Sequence, residues 1–339
     1  VEESLAAAMR AAIARAEDAR GATSPNPPVG AVVLDVAGRV VGSGATQPPG
    51  GSHAEVGALA EAGSRARGGT AVVTLEPCAH HGRTPPCTDA LLAAGIARVV
   101  YAVADPNPQA AGGARVLADA GVLVEGGLLA DEVAAGPLRA WLRATATGRP
   151  HVTWKYAASL DGRSAAADGT SRWISSETSR AEVHRLRRQV DAIVAGRGTV
   201  LADDPALTAR QDDGTPAPRQ PLRVVVGLGD IPAGARVLDD AAETLHVRTR
   251  EPAEVLAALA ARGVVDVLLE GGPALAGAFV AAGLVDRVLA YVAPVLLGAG
   301  TPALGAAGVS TITGAHRFRV EGVTMSGPDV RVCAVPVGD

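Results

Sequence analysis

An imidazole, two thiols and a carboxylate stand in the first third of the chain at spacings that suit metal-assisted hydrolysis: His53, Glu55, Cys78 and Cys87. One imidazole and two thiolates are the ligands of a Zn²⁺ site with three protein ligands and an open fourth position. Glu55 follows His53 by two residues at the start of a helical pattern, so it can lie beside the metal without binding it. Zinc lowers the pKa of bound water from about 15.7 to about 7. A neighbouring carboxylate can then take the water proton, protonate a ring nitrogen and pass a proton to departing ammonia. A lone His-x-Glu is more often a capping or surface pair, and two cysteines alone are more often small buried hydrophobes. Glu76-Pro77-Cys78 at the end of a strand, with Cys87 beyond it, makes that bland reading of the set improbable.

His-x-Glu with a later Pro-Cys pair is the arrangement of zinc nucleobase deaminases. Here the cysteines are separated by the eight residues AHHGRTPP instead of two. In the second half, Glu270-Gly271-Gly272-Pro273 follows a strand pattern and precedes a helical one, so bare backbone N–H groups could meet a phosphate; a plain Gly-Gly turn stays open. No GxGxxG follows a strand, which leaves a Rossmann site unsupported. Lys155 is the single lysine among 31 basic residues. Its ammonium suits a compact site better than a planar guanidinium does, and an ordinary strand-edge lysine is the alternative.

These residues need rigid elements to hold them. At 339 residues the chain exceeds the prior for one domain and predicts two. Residues 4–19 have helical periodicity, and 29–34 and 39–44 read as a hairpin. Strands at 70–75, 98–102 and 122–125 alternate with helices starting at 54 and spanning 88–94, 111–120 and 131–145. That is an α/β domain with a largely parallel sheet. A breaker, Thr147-Gly148-Arg149-Pro150, places the boundary, giving domains of residues 1–147 and 148–339. The second repeats the rhythm: strands at 151–157, 192–195, 222–226, 244–247, 266–269 and 287–292, helices at 177–188, 252–261 and 274–282, and a loop at 211–221.

Composition narrows the ligand. A net charge of −4 and 2% aromatics remove the basic footprint and stacking platforms of a nucleic-acid binder. The N-terminus mixes charge through its apolar positions, and no apolar run reaches about 18 residues, so the chain reads as cytoplasmic and not membrane-bound. Three cysteines, one of them the isolated Cys333, argue against a disulfide framework.

The segments TSPNPPVGAVV (23–33), GGSHAEVGAL (50–59) and TLEPCAHHGRTPPC (74–87) resemble the deaminase half of the bifunctional riboflavin-biosynthesis deaminase/reductase (RibD or RibG) family, in which the long inter-cysteine segment is usual. WKYAASLDGRSA (154–165), SRWISS (171–176), GRGTVLADDPALTAR (196–210) and LLEGGPALAGAFV (268–280) resemble its reductase half. The resemblance implies a cytidine-deaminase-like α/β/α domain followed by a dihydrofolate-reductase-like α/β domain. It implies His53, Cys78 and Cys87 on zinc, Glu55 as proton shuttle, and Asn26, His80 and Arg83 on the substrate of the first site; Asn26 equally fits a turn cap. For the second site it implies NADPH against Ala157, Trp173, Thr199, Asp203, Gly271 and Gly272. Ser171, Arg187, Leu207, Arg210 and Glu270 would meet substrate, the two arginines suiting a 5′-phosphate; Lys155 is expected to be catalytic on its own account, as the one lysine on the strand that enters the reductase segment.

The activity that the resemblance implies is zinc-dependent deamination of 2,5-diamino-6-ribosylamino-4(3H)-pyrimidinone 5′-phosphate, then NADPH-dependent reduction of the ribosyl to a ribityl group. A homo-oligomer, dimer or tetramer, is expected. Arg197 stands where the family usually has a small residue, and Leu228 replaces a polar residue often near the adenosine end. Selection of NADPH over NADH therefore rests on the resemblance, with no 2′-phosphate clamp visible. Two rivals are a nucleic-acid base deaminase with a non-reductase second domain, and a metal-stapled scaffold, which four protein ligands on zinc would favour.

Overall fold

A computed structural model describes residues 2–80, 85–108 and 110–338. The chain divides into two compact units, Val1–Arg149 and Pro150–Asp339.

The first unit runs α1 (Glu2–Ala19), β1 (Gly30–Leu34), β2 (Val40–Ala45), α2 (Ala54–Ala62), β3 (Thr70–Leu75), α3 (Cys87–Ala94), β4 (Arg98–Val103), α4 (Gly113–Asp119), β5 (Leu123–Gly126), α5 (Ala130–Ala135) and α6 (Arg139–Thr147). Helix α1 forms because Leu5, Ala8, Met9, Ala12 and Ala16 recur at helical spacing, and all five are buried. The sheet has the order β2-β1-β3-β4-β5. β1 pairs antiparallel with both β2 and β3, whereas β3, β4 and β5 are parallel. Strands β2, β3, β4 and β5 therefore run the same way, as expected of strands joined through helices, and β1 alone runs opposite because the hairpin to β2 reverses the chain. α2 lies directly on β2: a Cβ at Gly42 or Gly44 would fall 2.1 Å from the Ala58 carbonyl oxygen or 2.2 Å from that of Ala54. Glycine there lets the helix carrying Glu55 press onto the sheet. The helix expected over 131–145 is two helices, because Gly136-Pro137 intervenes and proline lacks the N–H that would continue the first.

The second unit runs β6 (His151–Ser159), β7 (Arg163–Ala166), α7 (Glu177–Gln189), β8 (Ala192–Gly196), α8 (Arg197–Asp203), β9 (Leu222–Val226), β10 (Thr244–Val247), α9 (Pro252–Ala260), β11 (Asp266–Leu269), α10 (Pro273–Ala281), β12 (Arg287–Ala293), β13 (Gly300–Pro302), β14 (Phe318–Ser326) and β15 (Asp329–Pro336). Its eight-stranded sheet has the order β10-β9-β8-β11-β6-β12-β15-β14. The first six strands are parallel, and β15 and β14 close the edge as an antiparallel hairpin. Parallel strands covered by helices carry continuous apolar runs; Val152, Val194, Val224, Val267 and Leu269 are all buried in one core cluster. Sequence periodicity did not reveal β7, α8, β13, β14 and β15. β14 is an edge strand with most positions exposed, so it lacks the alternation that marks a half-buried strand. Among the described residues no helix is long and apolar enough to cross a membrane.

Candidate active sites

In the first unit three elements converge. β3 ends at Leu75 and delivers Cys78, α3 begins at Cys87, and α2 begins just after His53. The His53 Nδ1 lies 3.1 Å from the Cys87 Sγ and 3.6 Å from the Cys78 Sγ. All three ligand atoms fall within 4.8 Å of one another. Bonds of about 2.0–2.1 Å to nitrogen and 2.3 Å to sulfur at tetrahedral angles require ligand separations of about 3.5–3.8 Å, which His53 and Cys78 meet and His53 and Cys87 reach by parting a few tenths of an ångström, so the donor set fits zinc. The cysteines behave as a coupled pair. Hydrogen bonding between their sulfurs, together with His53, holds the Cys78 thiol down at about 4, and the same bond with burial pushes the Cys87 thiol up. The hydrogen bond to Cys78 raises His53. Glu55, 4% exposed in the first turn of α2, is pushed up chiefly by burial, next by the Cys78 charge, which suits a carboxylate that must hold a proton.

A cavity of about 400 Å³ opens over this cluster, and Asn26, His53, Glu55, Cys78 and His80 line it. Asn26 and His80 are therefore brought to one space with the cluster, while Arg83 lies outside the described residues. Sequence reading missed Thr46, Asp105, Asn107 and Trp141, which also line the cavity. It also missed the purpose of Glu76: its buried carboxylate accepts from the N–H groups of Asp105, Gly112 and Ala114 at 3.0–3.1 Å, clamping the wall that carries Asp105. Glu76 directly precedes Pro77-Cys78, and that adjacency was the available signal.

In the second unit the site gathers where parallel strands end, the edge at which open α/β sheets place ligands. Leu269 pairs with Trp154, so Lys155 and Glu270 occupy the next rung. Glu270 takes a bidentate pair from Arg187 on α7, at 2.7 and 2.9 Å, and the Lys155 Nζ lies 3.9 Å from its Oε2. Burial alone would push Glu270 up, but Arg187 and Lys155 hold it at about 2. Burial pushes the Lys155 ammonium down, and Arg187 adds to that while Glu270 opposes it. Arg187 also donates to the Thr208 carbonyl, so most of its donors are committed within the protein. Arg210 is exposed and meets no side-chain hydrogen-bond partner among the described residues.

The remaining sequence candidates fall around this triad in different ways. Ser171 donates to Asp203 (3.4 Å), and Gly272 N–H donates to Thr199 Oγ1 (3.0 Å), joining two expected cofactor contacts to each other. Leu207, with φ +48°, and Ala157 pack their side chains into core clusters, so only their main chain is offered to a ligand. Trp173 is 70% exposed and lies under the Arg180 guanidinium at 4.4 Å. Nothing in the sequence singled out His184, whose buried Nδ1 meets no hydrogen-bond partner among the described residues; burial and the charges of Arg187 and Arg210 hold it down at about 4.

Comparison with known proteins covers both units. Residues 2–103 match the cytidine and deoxycytidylate deaminase zinc-binding region, and residues 150–332 match the RibD C-terminal domain. The chain is 59% identical over 333 residues to riboflavin biosynthesis protein RibD of Mycobacterium tuberculosis (strain ATCC 25618 / H37Rv), covering 98% of each. It is 41% identical over 356 residues to RibD of Escherichia coli (strain K12), covering 95% of this chain and 96% of the relative. Among solved structures, Acinetobacter baumannii RibD superposes with a TM-score of 0.89 at 36% identity over 100% of both chains. A Thermotoga maritima diaminohydroxyphosphoribosylaminopyrimidine deaminase/5-amino-6-(5-phosphoribosylamino)uracil reductase gives 0.90 at 32% over 99% of each.

Proposed function

Because the chain belongs to the RibD family of bifunctional riboflavin-biosynthesis proteins, we propose that His53, Cys78, Cys87 and Glu55 carry its deamination and that Lys155 and the groups around it carry its reduction. We assign the first step to residues 1–147 and the second to 148–339. The observation that carries the reading is the joint presence in one chain of a zinc-fitting cluster beside a buried carboxylate and a lysine–carboxylate–arginine triad gathered at the end of β11 in a second sheet.

Zinc, when bound, supplies a water acidic enough to attack the amino-bearing carbon of the pyrimidine at neutral pH. Glu55 takes one proton from the water and gives it to the ring nitrogen, then takes the second from the hydroxyl formed at the attacked carbon and gives it to the leaving amine, so that C–NH₂ and water become C=O and ammonia. Its burial favours the protonated form it must pass through. Asn26 and His80 hold the substrate in the cavity, and Arg83 is assigned to its phosphate by family resemblance.

In the second unit NADPH supplies the hydride to C1′ of the opened ribosylamine. Trp173, Thr199, Asp203, Gly271, Gly272 and the Ala157 main chain are the groups assigned to it. The backbone of Gly271 and Gly272 at the start of α10 has no side chain to keep a diphosphate away, and the Gly272 N–H is shared with Thr199 Oγ1. A Cβ at Gly271 would come within 2.8 Å of Leu275, so no larger side chain covers that backbone. Lys155 hydrogen-bonds the opened sugar and Glu270 fixes it there. Arg210, with Ser171 and the Leu207 main chain, takes the 5′-phosphate, and Arg187 acts mainly by orienting Glu270.

The acidic, aromatic-poor composition supports a small-molecule substrate over a nucleic acid. Two free thiols required as ligands support a reducing, cytoplasmic setting, and a homo-oligomer remains part of the proposal. Incubating the diamino substrate with and without NADPH tests the whole reading. Deaminated product should form in both, and the ribityl product only with NADPH; ribityl product without NADPH, or no deamination at all, would overturn it.

A further inference from the structure

The second sheet carries a group of charges that neither reaction step uses. Strands β6, β11, β8, β9 and β10 are adjacent and parallel. Lys155 lies on the first, and Glu270, Arg197, Gly227 and Arg248 follow the ends of the others in that order. At about 4.8 Å per strand, the Arg248 end stands about 19 Å across the sheet from the lysine strand. There the short loop Gly227–Asp230 is held by three side chains, one from α8 and two from β10 and the residue after it. Arg197 donates from Nε to the Asp230 carbonyl (2.7 Å). Arg248 donates to the Leu228 carbonyl (3.0 Å) and to the Asp230 carboxylate (2.5 Å), and His246 donates from Nε2 to the Gly227 carbonyl (2.8 Å).

The loop is shaped for Arg197. A Cβ at Gly229 would lie 3.0 Å from its guanidinium carbon, and one at Gly227, where φ is +150°, would lie 2.9 Å from its Cβ. Glycine at both positions lets the guanidinium lie against the backbone. Only its Nε is used, and its terminal nitrogens meet no hydrogen-bond partner among the described residues. Among the described residues Asp230 is the one acid paired into the group, and its side chain is 87% exposed, free to swing away. Two guanidiniums meeting at one residue, Arg248 on the Asp230 carboxylate and Arg197 on its carbonyl, also match a phosphate, which is larger and carries more charge.

We propose that Arg197 and Arg248 recognise the 2′-phosphate of the adenosine ribose, with Asp230 occupying that place in the free enzyme, and so select NADPH over NADH. The inference rests on the reading of this unit as dinucleotide-dependent. The position fits: Thr199 and the Gly271-Gly272 backbone lie on the neighbouring strand ends β8 and β11, between the lysine and this loop. A dinucleotide with its nicotinamide at Lys155 and its diphosphate at Gly271-Gly272 brings the adenosine to β9 and β10.

Titration calorimetry of the full chain with NADP⁺ and NAD⁺, without turnover, tests this. Arg197→Gln and Arg248→Gln should each weaken NADP⁺ by roughly ten- to thirtyfold and leave NAD⁺ within about twofold, as expected for loss of a charge-assisted contact made only by the phosphate. Asp230→Asn should tighten NADP⁺ a few-fold and leave NAD⁺ unchanged. The NAD⁺ affinity reports in each case that the unit is folded. Equal weakening of both dinucleotides, or an unchanged preference in both arginine variants, overturns the assignment. Wild type that binds both dinucleotides equally overturns it alone, whereas wild type that binds neither removes the dinucleotide reading as well.

Discussion

The two sites solve the burial of reactive groups in opposite ways. In the first unit His53, Cys78 and Cys87 come together from the starts and ends of short elements under a cavity, and a metal ion would neutralise their negative charge. In the second, charge is balanced by the protein itself: Glu270 lies between Arg187 and Lys155, with no metal-ligand set around it among the described residues. A site that borrows a cation is sensitive to that cation. A site that carries its own counter-charges should instead be sensitive to any change in the shape of one partner.

The largest expected effect falls on the first site alone. Glu55→Gln keeps the zinc ligands and removes the proton carrier, so deamination should fall by about 10²–10⁴-fold while reduction of pre-deaminated substrate is unchanged. Chelation should reproduce that separation. Equal loss of both activities on either treatment would break the comparison.

Next comes the ion pair of the second site. Glu270→Gln leaves Arg187 and Lys155 without their acid, and breaking a buried pair of this kind costs about 3–5 kcal/mol. Its pH dependence is distinctive. Glu270 is held at about 2 in the folded protein, below the unfolded carboxylate value of about 4.3, so its contribution is fully present above the unfolded value and lost as pH falls through the folded one. Urea unfolding should show a stability difference between wild type and variant that is constant from neutrality to about pH 5 and shrinks between there and about pH 2. A difference already lost by about pH 5 would show that the pair is not buried in solution.

A smaller effect tests shape against charge. Lys155→Arg preserves the charge in a buried position but replaces three rotatable donors by a planar fork. Losing one charge-assisted hydrogen bond should slow reduction roughly ten- to a hundredfold with deamination untouched. Wild-type reduction in the variant would make Lys155 an ordinary strand lysine. The smallest change is expected for Arg210→Ala, which should raise the reductase KM about tenfold with kcat nearly constant, because a phosphate distant from the reacting carbon is held equally in ground and transition states.

Much of the first site was legible in the chain because its ligands follow from local geometry. His53 immediately precedes α2, Cys87 opens α3, and Cys78 follows β3, so spacing and residue type already imply the cluster. Asp105, Asn107 and Trp141 were not legible, since nothing local distinguishes them from loop and helix residues; the backbone clamp at Glu76 and the fold around the cavity bring them in. The second site shows the same limit more sharply. Arg187 was assigned to a phosphate, but packing commits it to Glu270, 83 positions away.

Residue types and their spacing determined the metal chemistry, the two-unit α/β organisation and the family, because hydrophobic periodicity and ligand identity are properties of short segments. Tertiary structure decided which charges meet: the pairing of Lys155 with Glu270, and the gathering of Arg197 and Arg248 around Asp230. Those outcomes depend on strand order and on the rung at which parallel strands align, and both are settled by packing between segments far apart in the chain.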